Sequence, residues 1–417
     1  MQRIFAAAKL TFAFFVEVCY NTKNCSACVL RILKGSIFDM KRLLPLLLVL
    51  MVLLSACAKA PEDTTPTDTH GAFPDTLPTT TTTPPTTQTP VTTVPTDPSE
   101  PEDTQPELNY VHPLTGEASA EPMLQRPVAV MLNNIIAAMP QHGVSQADIL
   151  FELLAEGGIT RCVGIYTDLE SVEKIGSIRS ARKYFIQISQ AYDAAYVHAG
   201  GSWEANDYLR TLKNMDLDAG LSATCFYRDQ DRLNSGYSLE HTLFSSGEKI
   251  LEFAQQRGVT TELDEEKSYG MTFDDSKVIV GKSAKKVTVY FNMGGKPSSY
   301  TKSTAFTYDE KTKLYSAAQY GSDYIDGNTK EAIAFRNVVA LYADTSLQSD
   351  QFLLTINTTG TGTGYFACNG QIVEINWSRK TVNDPFTFTL TNGNPVTFGV
   401  GATYIGVIPT GATVDWE

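Results

Sequence analysis

Three short apolar runs constrain the fold of this chain more than any other feature of its sequence. They lie at residues 128–132, 149–154 and 159–166. Apolar runs of strand length are typical of strands that are buried on both faces, and such strands need a sheet with helices packed over it. The apolar spacing at 180–192 and at 203–212 predicts two helices, with a further strand at 194–198 between them. The sequence therefore predicts an α/β N-terminal domain at residues 108–262, built as a mixed sheet with flanking helices.

The pattern changes after residue 262. Short runs of β-type residues recur at 278–280, 287–291, 305–308, 338–342, 352–356, 371–375, 386–390 and 404–408. Asn369-Gly370 and Asn392-Gly393 lie between such runs, and Asn-Gly between alternating runs is a strong signal for a β-hairpin. We therefore predict an all-β, sandwich-like C-terminal domain at residues 263–417.

A targeting signal is predicted at residues 40–57. Lys41-Arg42 precedes an apolar run at 43–53, which has the layout of a signal peptide and is too short to cross a membrane as a helix. The residues that follow, Leu54-Ser55-Ala56-Cys57, resemble the lipobox of bacterial lipoproteins. This resemblance implies cleavage before Cys57 and diacylglycerol on its sulfur, which would anchor the protein to a membrane without a span. The alternative is an ordinary signal peptide with an incidental cysteine.

The segments on either side of this signal are predicted to lie outside any domain. Met40 directly precedes the positive charges, and Lys9 and Glu17 interrupt the apolar run upstream of it, so residues 1–39 are predicted to be a misassigned upstream extension. The rival interpretation is a Cys25-x-x-Cys28 metal or redox pair. Residues 58–107 are rich in Thr, Pro and acidic residues, which predicts a disordered stalk. A flexible stalk of about fifty residues reaches roughly 40 Å.

Charge and motifs exclude several classes of function. Residues 1–57 carry seven Lys and Arg against two acidic residues, which is a net charge of +5. Because the whole chain has a net charge of −13, residues 58–417 carry −18. An acidic chain argues against nucleic acid as a partner. The sequence predicts no cofactor, because it has neither a GxGxxG nor a P-loop motif, and no metal site, because its five histidines form no HExxH. Three cysteines, Cys162, Cys225 and Cys368, permit at most one disulfide, and three buried free thiols are the alternative.

Arginines in the N-terminal domain indicate a site for an anion. Arg179 and Arg182 flank Ser180 at the predicted start of a helix, where free backbone N–H groups and two guanidinium groups favour a bound anion. Arg161 stands alone in an apolar run, so it must be paired or line a cavity. The alternative is that these arginines form structural salt bridges. The carboxylates considered for that role are Glu152, Glu156 and Asp193.

A glycine turn follows the predicted strand at 194–198. The sequence there is His198-Ala199-Gly200-Gly201-Ser202, at the edge where open α/β sheets bind ligands. Two glycines let the backbone approach a ligand closely. The alternative is a tight turn with Ser202 as a helix N-cap. Ser202 with His198 or His241 as base is the one candidate for catalysis, but no GxSxG surrounds the serine, so the sequence favours binding over catalysis.

The C-terminal segment Trp377-Ser378-Arg379-Lys380 has two interpretations. An aromatic ring and two cations could contact a glycan or an anionic polymer. The favoured alternative places Trp377 in the β core and the cations at an exposed strand end.

The order of motifs along the chain resembles a known family. The motifs lie at 109–116, 126–130, 156–161, 179–182, 198–202, 362–365 and 377–380. Together they resemble the YerB-type lipoproteins of Gram-positive bacteria, a family of unknown function with an N-terminal and a β-rich C-terminal domain, over residues 109–417. The family often has Pro-His-Asn-Leu-Tyr where this chain has Glu240-His241-Thr242-Leu243-Phe244, so only His241 carries over. It also commonly has Pro where this chain has Lys183. The resemblance implies no catalytic residues.

The leading hypothesis is a lipid-anchored protein on the outer face of the plasma membrane that binds an anionic envelope ligand, either a small molecule or a wall polymer. The predicted ligand-binding residues are Arg161, Arg179, Ser180, Arg182, His198, Gly200, Gly201, Ser202 and His241. Two alternatives stay open: an envelope enzyme that acts on a phosphorylated or glycan substrate, and a scaffold that binds protein partners through the β-rich domain.

Overall fold

A computed structural model describes residues 108–222, 224–264, 266–277, 279–349 and 352–417. The predicted upstream extension, the signal peptide with Cys57 and the stalk at 58–107 lie outside the described residues.

The part of the chain up to residue 262 contains short strands and four α-helices among its described residues. Its strands are β1 (Tyr110–Val111), β2 (Ala118–Ser119), β3 (Val128–Asn133), β4 (Ile149–Leu154), β5 (Thr160–Tyr166), β6 (Ile175–Gly176), β7 (Ala195–His198), β8 (Asp216–Asp218), β9 (Tyr227–Arg228) and β10 (Leu243–Ser245). Its α-helices are α1 (Lys183–Ala191), α2 (Trp203–Leu209), α3 (Gln230–Asn234) and α4 (Gly247–Arg257). Single 3-10 turns lie at Ile136–Ala138, Val144–Gln146, Glu156–Gly158, Ala219–Leu221 and Leu239–His241.

The remainder of the chain is built from strands. They are β11 (Lys282–Ser283), β12 (Lys286–Tyr290), β13 (Ser303–Tyr308), β14 (Tyr315–Gln319), β15 (Ser322–Asp323), β16 (Ala334–Phe335), β17 (Asn337–Ala343), β18 (Thr345–Leu347), β19 (Leu354–Ile356), β20 (Gly360–Cys368), β21 (Gln371–Arg379), β22 (Thr387–Leu390), β23 (Thr403–Pro409) and β24 (Val414–Trp416). An α/β part followed by a β-rich part is therefore confirmed at this level. The predicted run at 278–280 differs, because residues 279 and 280 lie outside any strand.

An 11-stranded sheet runs through both parts of the chain. Its order is β11-β21-β20-β17-β23-β4-β5-β3-β7-β8, and β22 pairs with β21. Every residue of β3, β4, β5 and β7 is buried, as expected for apolar runs in the middle of a sheet. Strands from both sides of residue 262 share this sheet and one hydrophobic core. The domain boundary at residue 262 stays a prediction.

A second, six-stranded sheet packs against the large one. Its order is β15-β14-β13-β12-β24, with β16 paired to β14. Buried and more exposed residues alternate along β14, which is typical of a sheet with one face on the core. Phe306 of β13 contacts Tyr404 of β23, with ring centroids 4.6 Å apart. The two sheets therefore meet face to face at the aromatic core.

The predicted hairpin at Asn369-Gly370 is confirmed. Cys368 of β20 pairs directly with Gln371 of β21, and the two residues between them have φ angles of 53° and 70°. Positive φ at both central positions is the requirement of the tightest hairpin turn, and Asn-Gly meets it with little strain.

The structure corrects one interpretation of the segment at 377–380. Trp377 is 3% exposed and belongs to the core, as expected. Arg379 is 1% exposed, so the prediction that it lies at an exposed strand end is wrong. Its guanidinium group donates to backbone carbonyls instead of reaching solvent. Arg379 therefore stabilises the fold and does not contact solvent or a ligand at the surface.

The three cysteines in the described part of the chain are free and buried. Burial raises the pKa of the Cys162 thiol well above its ordinary value, which keeps the thiol protonated and unreactive.

Candidate functional site

An extended segment at 177–182 brings the predicted site residues into one region. The backbone N–H of Asn133 donates to the Ser177 carbonyl at 2.9 Å, and the Arg179 N–H donates to Met131 at 3.0 Å. On the other side of the segment, the backbone N–H of Ala199 donates to the Arg179 carbonyl at 3.0 Å. The segment is therefore held between the end of β3 and the loop that follows β7.

The helix that follows this segment begins later than predicted. Helix α1 starts at Lys183, and Arg182 has extended backbone at the N-cap position without a side-chain cap. Arg179 and Ser180 thus lie in the extended segment and not in the first helical turn. The reason is local, because residues 178–181 make sheet-like hydrogen bonds to neighbouring strands and loops.

Glu156 connects two of the predicted arginines. Its carboxylate accepts hydrogen bonds from Nε of Arg182 and, at 2.7 Å, from one of the terminal nitrogens of Arg182. A nitrogen of Arg161 lies 3.7 Å from the same carboxylate. Arg161 also donates to the Ser180 carbonyl at 3.0 Å, so Ser180 contributes backbone and not its hydroxyl. The salt-bridge alternative is therefore realised for Arg161 and Arg182.

Burial and neighbouring charges shift the pKa values of Glu156 and Arg161. Burial alone would raise the pKa of Glu156, but the hydrogen bonds and charge of Arg182 hold that pKa below its ordinary value. Burial also lowers the pKa of Arg161 to about 10, and the positive charge of Arg182 acts in the same direction. Glu156 and Arg161 are therefore both charged at neutral pH, and the guanidinium groups of Arg161 and Arg182 repel each other across one shared carboxylate.

Arg179 has a weaker partner. Its guanidinium group donates to the Glu240 carboxylate at 2.9 Å, and the Glu240 side chain is 56% exposed. The other carboxylates proposed as partners are occupied elsewhere, since Glu152 pairs with Lys302 and Asp193 with Arg126. The Arg179 side chain itself is 15% exposed, so this ion pair is open to solvent mainly on the Glu240 side.

Two donors in this group have no acceptor. The Nε atoms of Arg161 and of Arg179 are buried and have no hydrogen-bond partner within the described part of the chain. Three guanidinium groups (Arg161, Arg179 and Arg182) are thus served by two carboxylates (Glu156 and Glu240). We call these five residues the arginine cluster.

His241 joins the edge of the arginine cluster. It is 4% exposed, one ring nitrogen lies 2.9 Å from the Asn133 side-chain amide, and the other lies 3.7 Å from Glu240. Burial lowers the pKa of His241 below its ordinary value, so the ring is neutral at pH 7. Asn133 was not predicted as a site residue, although a polar residue at the end of an apolar strand is the available signal.

His198 and the glycine turn form a separate group beside the cluster. The ring nitrogens of His198 lie 2.9 Å from an Asp216 oxygen and 2.8 Å from the Gly200 carbonyl. Ser202 caps α2 by accepting from the Ala205 N–H at 3.2 Å. Both ring nitrogens are therefore engaged by groups other than Ser202, and the turn-and-cap interpretation fits these contacts.

The two glycines serve different purposes. Gly200 has a φ of 62°, and a Cβ there would meet nothing within 4 Å, so its need is conformational. At Gly201 a Cβ would lie 2.6 Å from the Asn206 side chain and 3.2 Å from Ala181. Gly201 therefore permits the segment at 177–182 to pack closely against the start of α2.

Stability should depend on pH through His142, whose backbone N–H donates to Gly176 just before the segment at 177–182. Burial, reinforced by the charges of Lys174 and Arg232, lowers the pKa of His142 to about 4, although Asn328 and Asp326 oppose the shift. As pH falls through 6.5, the unfolded chain takes up a proton that the folded protein refuses until about pH 4. The free energy of unfolding should therefore fall across this window.

The measurement is urea unfolding between pH 7 and pH 4 for the native protein and for His142→Gln. The variant should lose part of the pH dependence while keeping the contribution of the carboxylates. Equal slopes in the two proteins would show that His142 does not titrate in this window.

Neither a metal site nor a membrane span is found in the structure as described. Among the described residues, no three His, Cys, Asp or Glu side chains are grouped so that they could hold a metal ion. Within the same residues, no helix is both long and apolar enough to cross a membrane.

Family models match both parts of the chain. Residues 114–260 match the N-terminal domain, and residues 296–405 the C-terminal domain, of a family described as "Protein of unknown function (DUF3048)". The chain belongs to the DUF3048 family, that of the YerB-type proteins. The arginine cluster lies within the N-terminal match.

A relative of this DUF3048 protein is the Bacillus subtilis (strain 168) protein named "Putative lipoprotein YerB". It is 28% identical over 304 residues, which are 71% of this chain and 86% of the relative. The crystal structure of the YerB protein from Bacillus subtilis is similar with a TM-score of 0.64 and 27% identity. The similarity covers 74% of this chain and the whole of that structure.

Proposed function

We propose that the arginine cluster of this DUF3048 protein binds an anionic group of the cell envelope. The observation that carries the proposal is the excess of cationic donors over acceptors, including the buried and unpaired Nε atoms of Arg161 and Arg179. Buried donors without partners cost free energy, and an anion with several oxygens supplies further acceptors to the Arg179 guanidinium group, whose side chain is 15% exposed.

Glu240 provides a route for the anion to enter. Its carboxylate is mostly exposed, whereas that of Glu156 is buried beneath Arg161 and Arg182. A phosphate or carboxylate group can replace Glu240 at Arg179 with little loss, because the displaced Glu240 carboxylate stays in contact with solvent. Glu156 would stay in place and keep the two other arginines in position.

The proposal places the protein on the outer face of the plasma membrane. The support is the lipobox-like sequence that ends at Cys57, together with the lipoprotein name of the Bacillus subtilis relative. Lipid on Cys57 would be the anchor, and the segment at 58–107 would be the stalk. Residues 108–262 would act as the α/β ligand-binding domain and residues 263–417 as a sandwich-like support.

The test is a thermal-shift titration of the full chain with inorganic phosphate, pyrophosphate and glucose 6-phosphate at constant ionic strength. A ligand present at a hundred times its Kd adds about 2.7 kcal/mol to the free energy of unfolding. Arg179→Gln should weaken binding at least about tenfold, since a hydrogen bond between charged groups contributes about 1.5–3 kcal/mol. Glu240→Gln should tighten it, because the competing carboxylate is removed.

The matched control is Arg210→Gln, which removes the same charge from a side chain that is 77% exposed and paired with Asp207. This control should bind like the native protein. The proposal is wrong if no anion raises the melting temperature of the native protein by more than it raises that of Arg179→Gln.

A further inference from the structure

A buried polar cluster outside the arginine cluster joins the two sheets. Asn134 directly follows β3, Glu152 lies in β4, and Lys302 directly precedes β13. Asn134 and Glu152 are each 0% exposed, and Lys302 is 6% exposed. The three side chains therefore bring a carboxamide, a carboxylate and an amine together in a region that is almost closed to solvent.

One oxygen of Glu152 bridges the other two groups. The Lys302 Nζ atom lies 2.8 Å from Glu152 Oε1, and Asn134 Nδ2 donates to the same oxygen at 2.8 Å. The two nitrogens can therefore be no further apart than the sum of these two distances. The Asn134 Cγ atom is one covalent bond from Nδ2, so it lies within reach of the long and flexible Lys302 side chain.

Other side chains hold the Glu152 carboxylate in this bridging position. Thr160 donates to Oε1 at 2.6 Å. Thr304 and Tyr404 donate to Oε2 at 2.7 Å and 2.9 Å. A carboxylate that is fixed between an amine and an amide can take a proton from the first and deliver it to the second.

The orientation of the Asn134 carboxamide suits attack on its carbon. Its Nδ2 atom points to Glu152 and donates to Thr160 at 2.8 Å as well. Its Oδ1 atom accepts from Gln141 Nε2 at 3.4 Å, and the Tyr324 hydroxyl donates to the oxygen of the same Gln141 carboxamide. A donor at the carbonyl oxygen stabilises the negative charge that develops there during attack.

From this geometry we propose that Lys302 and Asn134 form an isopeptide bond, with Glu152 as the proton carrier. Glu152 takes a proton from the Lys302 ammonium group, and the neutral Nζ attacks Asn134 Cγ. The Nζ–Cγ bond forms and the Cγ–Nδ2 bond breaks. Glu152 passes its proton to Nδ2, which leaves as ammonia, and accepts the second proton that Nζ loses. Nothing is oxidised or reduced, and no further reactant is consumed.

The reaction removes two charges from the core. A buried ion pair carries a desolvation cost for both of its members, whereas the new amide and the protonated Glu152 are neutral. The ring centroids of Phe291 and Tyr320 lie 5.7 Å and 5.2 Å from Lys302 Nζ. These rings shield the amine and the new bond from water, and the loss of ammonia makes the step irreversible.

The bond links the large sheet to the six-stranded sheet. Asn134 belongs to the loop that leaves the large sheet, and Lys302 enters the six-stranded one. The three cysteines in the described part of the chain are free, so no disulfide among them makes this connection. In a chain that has not yet reacted, Lys302 remains the counter-ion of Glu152, so Lys302→Met removes both the bond and the counter-ion.

The test is mass spectrometry of the full chain after denaturation and digestion with chymotrypsin. The native protein should yield a branched peptide in which the segment with Asn134 is joined to the segment with Lys302. Its mass should be the sum of the two segments less one molecule of ammonia. Fragmentation of the branched peptide should place the link between the two named side chains.

Three variants identify the groups that react. Lys302→Arg keeps the positive charge and should yield no branched peptide, because a guanidinium group stays protonated. Glu152→Gln keeps both reacting groups and should yield none, because the proton carrier is absent. The matched control is Lys285→Arg, at a lysine that pairs with Glu310 on the surface, and it should yield the same branched peptide as the native protein.

Contrary results are unambiguous. If the native protein gives only the two separate segments, the proposal is overturned, whether or not the variants fold. A branched peptide from Glu152→Gln would remove Glu152 from the reaction. Loss of ammonia at Asn134 without a branched peptide would mean that the carboxamide had reacted with its own backbone and not with Lys302.

Discussion

Replacing Lys302 with methionine should lower the free energy of unfolding by about 3–5 kcal/mol, because the substitution leaves the Glu152 carboxylate buried without its counter-ion. Glu152 is fully buried, and the Lys302 ammonium lies 2.8 Å from it with 4% side-chain exposure. Burial alone would raise the pKa of Glu152, but Lys302 and the surrounding hydroxyl donors hold that pKa below its ordinary value. Guanidinium chloride unfolding followed by tryptophan fluorescence measures the loss.

Two comparisons separate the buried charge from other effects of the substitution. Lys285→Met removes an ammonium that pairs with Glu310 at the surface, where both side chains are mostly exposed, and should leave the unfolding midpoint unchanged. Glu152→Gln in the Lys302→Met background should recover part of the lost free energy of unfolding, because a neutral carboxamide is then buried instead of an unpaired carboxylate. A Lys302→Met protein as stable as the native one would show that the Glu152 carboxylate needs no counter-ion.

Replacing Arg379 with leucine should lower the free energy of unfolding by about 4 kcal/mol, because four buried or half-buried carbonyls lose a donor and each such loss costs roughly 1–3 kcal/mol. The guanidinium group donates to Asp384 at 2.9 Å, to Thr358 at 3.3 Å and to Val382 at 2.5 Å. It also donates to the Gln187 carbonyl, which ties the end of β21 to α1. The side chain therefore links the β-rich part of the chain to a helix of the α/β part.

The neighbouring cation supplies the control. Lys380 is exposed, so Lys380→Leu should have the same unfolding midpoint in denaturant as the native protein. Arg379→Lys should recover only part of the stability, because an ammonium group cannot present several donors in a fixed plane. If Arg379→Leu and Lys380→Leu unfolded alike, the buried carbonyls would have other donors.

Local sequence patterns predicted where strands lie in the chain better than which strands pair with each other in the sheet. The mainly apolar runs located β3, β4 and β5, since strands buried on both faces are built largely from apolar residues. Asn369-Gly370 located a hairpin, because its turn depends on two adjacent residues. The place of β23 between β17 and β4 could not be predicted, because it depends on pairing between residues far apart in the chain.

The same limit applies to the candidate site. Sequence reasoning grouped the arginines and named Glu156 as a possible partner, because these residues flank neighbouring predicted elements. It did not find Glu240 as the partner of Arg179, which is 61 residues away. Outside that site, the unpaired side-chain amide of Gln319 on β14 could not be predicted for a different reason. An alternating strand pattern shows that a side chain faces inward, but only the assembled fold reveals that the amide has no partner there.

The position of β23 has a consequence for biosynthesis. Thr403 pairs with Ile149 on one side and with Asn337 on the other, so the strand of the large sheet that is synthesised last lies in its interior. Until that strand has been synthesised, the facing edges of β4 and β17 are open for pairing with other chains. A nascent chain therefore cannot complete its central sheet until β23 has been synthesised. For the same reason, a premature stop codon before residue 403 should yield an aggregating product and not a shortened folded protein.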